Sequence, residues 1–354
     1  MTDRKRKSGD SAGKRTNPRK LSSRAEGKRQ DLRVLWMGIL FSAVFTGLIW
    51  WAGARLNSIQ LLPDQGPSWY YWKLPRAEPW ARITAWGFYA LHQTAFWGLI
   101  YFAQSRQTKY QTRLHRVNFW ALGLNALFIT LHFLQTHFWY DGLAQDVSIW
   151  SSQASVVLLL VWVLLMENRR RGLFFGKKIP FPRRVIDVAR KYHGYYFAWA
   201  IVYTFWYHPM VSTSGHLWGF FYMFLLMVQG SLFFTRVHVN KYWTFFQEFT
   251  VLVHGALVAV MQGNNLWPMF AFGFGGILII TQLYGLGLKK WQRWLVIGIY
   301  TLAALGVYSG RVWLALSEMI RIPVIEYGLV FVLAGLIALG LEIRRKIQGP
   351  EQPA

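Results

Sequence analysis

The chain alternates between long apolar runs and short polar links. A bilayer core about 30 Å thick takes roughly 20 helical residues. Ten runs reach or approach that length: 34–54, 83–103, 117–138, 147–166, 192–208, 216–234, 243–261, 266–287, 292–309 and 323–341. Such runs predict helices, because a segment surrounded by lipid must satisfy its own backbone N–H and C=O groups. The expected fold is therefore all-α: a polytopic integral membrane bundle of about ten transmembrane helices. Three parts follow along the chain: a basic, disordered cytoplasmic tail over 1–31, the bundle over 32–346, and a short cytoplasmic tail over 347–354.

The polar links fix the expected orientation. Threading the runs alternately through a membrane with the amino terminus inside places 33 of the 39 Lys/Arg on the cytoplasmic side. An even span count keeps Arg344, Arg345 and Lys346 inside, as the positive-inside rule requires, so both termini are expected in the cytoplasm. The first 31 residues hold 11 Lys/Arg against four acids and almost no apolar residue, too little to bury a core. The run that follows ends in Ala52-Gly53-Ala54, which fits a small-x-small cleavage site. Its length and its long basic leader instead predict an uncleaved anchor. The expected location is a prokaryotic plasma membrane, with the lipid bilayer as partner.

Composition agrees with this class: 54% of residues are hydrophobic, 18% aromatic and 15% charged, against about 25% charged in a soluble domain. The net charge of +24 lies in the links between apolar runs, which is a topological pattern and not the basic face of a nucleic-acid reader, so no nucleic-acid partner is expected. Cysteine is absent, which excludes disulfides, thiolate catalysis and Cys-ligated metals. The link 55–82, with four prolines and the cluster Trp69-Tyr70-Tyr71-Trp72, suits the headgroup level or a lid over an outward site. The link 167–191 is basic enough to bind anionic lipid, although the topology rule alone accounts for its charge.

Polar residues inside the runs carry the functional signal, because burying them in hydrocarbon is costly without a partner or a purpose. Asn118, Asn125 and His132 recur every seven residues in the third run with Gln135 one turn on, so they share a face. In the seventh run Gln247 and His254 repeat that spacing and Glu248 adds a carboxylate; Tyr222, Gln229 and His92-Gln93 extend the polar seam. Asn, Gln and His at such positions also serve as hydrogen-bonding glue between helices. Glu248 is harder to explain in that way, since a carboxylate six residues into a span needs a cation, a proton or water. The third and seventh runs are expected to face a shared cavity through His132, His254 and Glu248.

A second constellation lies at the outer ends of the runs. His137 and Asp141 are four residues apart, a spacing that would place both on one helical face. With His216 they form a candidate metal site, with Asp146 and His208 nearby in sequence. His132, His137, Asp141, His254 and Glu248 are the candidate catalytic groups, since histidine and carboxylate supply general acid and base chemistry. His92, His132 and His254, each inside a run, are the candidate axial ligands if the protein holds haem b.

Phosphate-loop, zinc-helix and nucleophile-elbow motifs are absent. Gly273, Gly275 and Gly276 read as close helix packing, and the stripe Tyr196, Trp199, Tyr203, Trp206 as a packing face. Four functional classes remain open. One is a membrane-embedded enzyme performing group transfer or hydrolysis on lipid-linked or extracytoplasmic substrates. The others are a small-solute transporter, a haem b or quinone redox protein, and an assembly role. Ten spans with both ends inside resemble the layout of bacterial membrane acyltransferases, a likeness of layout alone because the first run has no histidine. All 12 prolines are read as lying in tails, links or run ends, which predicts continuous helices and weighs against an alternating-access carrier.

Overall fold

The computed structural model describes residues 18–63, 65, 72–76, 78–106, 110–263, 265–311 and 313–348. Ten α-helices follow one another with no strand among the described residues: α1 (Pro18–Ala52), α2 (Pro79–Arg106), α3 (Arg116–Trp139), α4 (Ile149–Arg171), α5 (Arg183–Tyr207), α6 (Ser214–Ser231), α7 (Lys241–Met261), α8 (Trp267–Ile280), α9 (Lys290–Tyr308) and α10 (Glu318–Gln348). They coincide with the ten apolar runs. Among the described residues, six segments are long and apolar enough to cross a membrane: Gln30–Leu56, Arg116–Trp139, Ile149–Arg171, Lys241–Met261, Trp267–Gly285 and Ala315–Gln348. The molecule is thus an all-helical bundle with the apolar helices of an integral membrane protein.

Local chemistry sets the helix starts. Ser148, Thr213 and Asn240 accept backbone N–H groups at the beginnings of α4, α6 and α7, satisfying donors that have no intrahelical partner. Proline opens α2 and stands in the first turn of α8, where its missing N–H costs nothing. α1 begins at Pro18, so helical backbone extends into the basic leader; residues 1–17 and 349–354 lie outside the described residues.

Two hydrophobic cores organise the bundle. One joins α3, α5 and α6 through Phe128, Phe205, Trp206, Tyr207, Phe220 and Phe224. The other joins α4, α8 and α10 through Leu164, Leu165, Ile277, Val330 and Ala334. The aromatic stripe of α5 is a packing face: Tyr196 stacks on Trp162 with ring centres 5.1 Å apart, and Trp206 is fully buried. The glycines of α8 admit close neighbours, since a Cβ on Gly273 would fall 2.8 Å from Ile322 and one on Gly275 3.1 Å from Tyr300. α9 packs on α8 and leaves Trp291, Trp294, Leu295 and Leu302 exposed, a face suited to lipid.

The expectation of continuous helices is corrected at two places. The run 266–287 is broken: α8 ends at Ile280, Thr281 intervenes, and Gln282–Gly285 form a 3-10 turn. The break is stabilised from outside the helix, because the Phe175 N–H donates to the Ile280 carbonyl at 2.8 Å, and a freed backbone acceptor in a membrane bundle needs such a partner. Pro323, the first residue of the run 323–341, lies inside α10 because that helix begins earlier, at Glu318. As the sixth residue of the helix, it removes a single intrahelical donor near the end.

Candidate functional site

The buried polar groups fall into three sets. The first is the seam of α3. Asn118, Asn125 and His132 are all buried, as the seven-residue spacing predicts. Their partners lie on α6 and in the turns beyond α5 and α6. Asn118 Nδ2 donates to the Ser231 and Phe233 carbonyls at 2.8 and 2.9 Å, and Asn125 Nδ2 donates to Ser231 Oγ at 2.9 Å. Trp206 Nε1 donates to His92 Nδ1 at 3.2 Å, which leaves the proton on Nε2; that nitrogen then donates to Asn125 Oδ1 at 2.9 Å. His132 donates from Nε2 to the His208 carbonyl at 2.8 Å and packs edge-on against Trp206. This set ties α2, α3, α5 and α6 together. It also occupies both nitrogens of His92, so His92 presents no free nitrogen as an axial ligand.

The second set lies between α4, α7, α8 and α10. Arg171, the last residue of α4, places Nη1 at 3.0 and 2.7 Å from the two carboxylate oxygens of Glu248 on α7. Both side chains are almost wholly buried, at 2% and 10% exposure. Arg171 Nε and Nη2, and Gln282 Oε1 in the 3-10 turn, have no hydrogen-bond partner among the described residues. The three side chains line a cavity of about 20 Å³ together with Leu160, Val163 and Phe274, space for about one water. Beside it the link 172–178 turns back on itself, with Gly172 and Leu173 buried and residues 175–178 exposed. Gly172, Phe175 and Gly176 take left-handed backbone angles. Tyr327 of α10 donates to the Leu173 carbonyl at 2.8 Å and its hydroxyl meets Thr281 Oγ1 at 2.9 Å. Elsewhere on α10, Glu326 is buried with Oε2 unpartnered among the described residues.

The third set is at the opposite ends of these helices. His208 and His216 approach with ring centres 5.4 Å apart, and Trp72 stands edge-on to His216 at 4.3 Å. His254 of α7 leans on Gly219 of α6, where a Cβ would come within 3.2 Å of its ring. Trp69, Tyr70 and Tyr71 of the aromatic cluster lie outside the described residues. His137 bonds its own helix through Nδ1 to the Phe133 carbonyl at 2.8 Å. Asp141 is buried: Oδ1 accepts the Gly142 N–H at 2.7 Å and Oδ2 has no partner among the described residues. Burial is the main reason its carboxyl is raised to about 6, opposed by Gly142 and Arg82 and assisted by Asp146. His137, Asp141 and His216 do not converge, since no three His, Asp or Glu among the described residues stand where they would share a metal ion.

The seams of α3 and α7 do not meet. α6 stands between them: Asn125 bonds α6 at Met227 and Ser231, whereas Gln247 of α7 donates to the Leu225 carbonyl on another of its faces. Glu248 is drawn away from His132, toward α4. Sequence reading missed Arg171, Gln282 and Tyr327. Arg171 was absorbed into the topological charge of 167–191, although it follows Leu164 and Asn168 on the buried face of α4.

Comparisons with family models, with curated proteins and with solved structures found no match.

Proposed function

We propose that the protein is a ten-span carrier of the plasma membrane, with both termini in the cytoplasm, that moves a small anion together with a proton. The orientation rests on the charge asymmetry of the links, and the span count on the ten helices that coincide with ten apolar runs. The observation that carries the functional reading is the break in α8 beside the buried Arg171–Glu248 pair. Carriers build solute sites where spanning helices are interrupted and backbone groups line a cavity. A charge pair withheld from lipid and from water marks such a site by default.

The chemistry follows from donor counting. Arg171 has five N–H groups and spends only Nη1 on Glu248, leaving Nε and Nη2. A planar guanidinium recognises carboxylate, phosphate or sulfate oxygens through two parallel N–H groups. A proton taken up by Glu248 cancels its charge and releases Arg171 to a solute anion. Loss of the anion restores the pair and returns the proton. The link 172–178, held by Tyr327 and by the Ile280 carbonyl, closes the cytoplasmic side in this arrangement.

The test is proton uptake into liposomes containing the purified protein and an internal pH dye, with phosphate, sulfate, succinate or glutamate added outside at pH 6. One of these should accelerate acidification, and Glu248→Gln should abolish the acceleration. Acidification no faster than in empty liposomes with all four, or full activity in Glu248→Gln, would overturn the reading.

A second reading, an enzyme acting on extracytoplasmic or lipid-linked substrates, is favoured by the approach of His208 to His216 under Trp72. It predicts that His216→Gln abolishes turnover while Glu248→Gln does not.

A further inference from the structure

The carrier reading leaves unused a histidine pair at the cytoplasmic ends of α5 and α6. His193 lies in the third turn of α5 and His238 in the link between α6 and α7, with ring centres 6.4 Å apart. Both are half-buried, so neither ring is sealed inside the bundle. Each ring is held by Nδ1: His193 donates to the Arg190 carbonyl at 2.6 Å and His238 to the Gln229 carbonyl at 2.9 Å. With the proton on Nδ1, each ring presents an unprotonated Nε2 that makes no hydrogen bond among the described residues. Metal-binding histidines are prepared in this way, one nitrogen anchored to an acceptor and the other left as a lone pair.

The anchoring of His238 goes further. Its carbonyl accepts Gln229 Nε2 at 2.9 Å, its N–H donates to Thr235 Oγ1 at 3.3 Å, and Gln229 Oε1 is itself fixed by Trp243 Nε1 at 2.6 Å. A link held at this many points presents its ring in one orientation.

We propose that His193 and His238 together bind one monovalent copper ion through their Nε2 atoms. With metal–nitrogen bonds of about 2 Å, two imidazoles on opposite sides of one ion have ring centres about 6 Å apart, and at a tetrahedral angle about 5 Å apart. The observed 6.4 Å matches the near-linear case after a small closure. Zinc favours four ligands, and no third His, Asp or Glu completes a ligand set here among the described residues. Imidazole is an ordinary copper ligand, a closed-shell monovalent ion accepts two ligands in a near-linear arrangement, and the chain has no cysteine to compete for it.

The experiment uses full-length protein in detergent, freed of any polyhistidine tag, titrated anaerobically with monovalent copper against the chromophoric chelator bicinchoninate. One copper per chain is expected, with affinity falling at least tenfold in His193→Gln and in His238→Gln but not in His115→Gln. X-ray absorption on the unaltered protein should report two nitrogen donors, a readout independent of whether any variant folds. Unchanged copper affinity in the double variant His193→Gln/His238→Gln overturns the proposal. So does a coordination shell containing sulfur or more than two nitrogens.

Discussion

Arg171 and Glu248, 77 positions apart in the chain, meet through a single guanidinium nitrogen that serves both carboxylate oxygens. The attraction between them is strong because both are out of water, and for the same reason the loss of either partner strands the other. Arg171→Gln should therefore destabilise the bundle by about 3–5 kcal/mol. Arg171→Gln combined with Glu248→Gln should recover much of that loss. Melting temperatures of the two single variants and the double variant give the coupling. Additive losses would show that the pair contributes nothing as a unit.

Asn125 offers a contrast, since its amide bonds connect three helices and touch neither the cavity nor Arg171. Asn125→Ala strands the donor of His92 and should cost about 1–3 kcal/mol while leaving transport per folded molecule unchanged. The check is activity normalised to the monodisperse fraction. A transport defect exceeding the loss of folded protein would move the functional site toward α3.

Asp141 predicts a pH dependence outside the helices. Its carboxyl is raised from 3.8 to about 6, mainly by burial, so between those values the folded chain binds more protons than the unfolded one. Stability linked to this group is thus fully present below about pH 4 and is lost as pH rises through about 6. The melting temperature should fall between about pH 4 and pH 6.5, and Asp141→Asn should flatten that part of the profile. A profile unchanged by the substitution would assign the dependence to another group.

Orientation is testable because the chain contains no cysteine. Single cysteines at the exposed positions Arg76 and Lys178 should react with a membrane-impermeant maleimide from opposite sides in intact cells. The first should label before lysis and the second only after it. A reporter fused after Lys346 should signal cytoplasm. Labelling of Lys178→Cys in intact cells would reverse the proposed topology.

The helices were legible in the sequence because lipid imposes one rule on every span, and that rule appears as run length. The face of α3 was legible too, since a seven-residue spacing turns Asn118, Asn125 and His132 the same way whatever surrounds them. Which helix receives that face was not encoded in spacing. α6 took it, and so separated His132 from Glu248. Arg171 illustrates a different difficulty: three arginines in succession satisfy the charge rule equally, and only the rotation of about 100° per residue distinguishes the one that turns inward. A buried carboxylate requires a cation, and Asn168 at its own buried position on α4 pointed along the face where that cation lies. The break in α8 is marked in the sequence only by the polar pair Thr281-Gln282, which a count of run length passes over. The carbonyl it frees is satisfied by Phe175, about a hundred residues earlier in the chain.

The linkage from Trp206 through His92, Asn125 and Ser231 to the Met227 carbonyl has every donor pointing the same way. An indole N–H gives up no proton near neutrality, and a backbone carbonyl does not keep one. A hydrogen-bonded file closed at both ends by such groups is an insulator: no charge enters at one end or leaves at the other, and reversing it requires every member to turn. The half of the bundle built on α2, α3, α5 and α6 therefore blocks proton leakage along this file. On the other side of α6 the buried carboxylates are Glu248 and Glu326, neither of which belongs to this file.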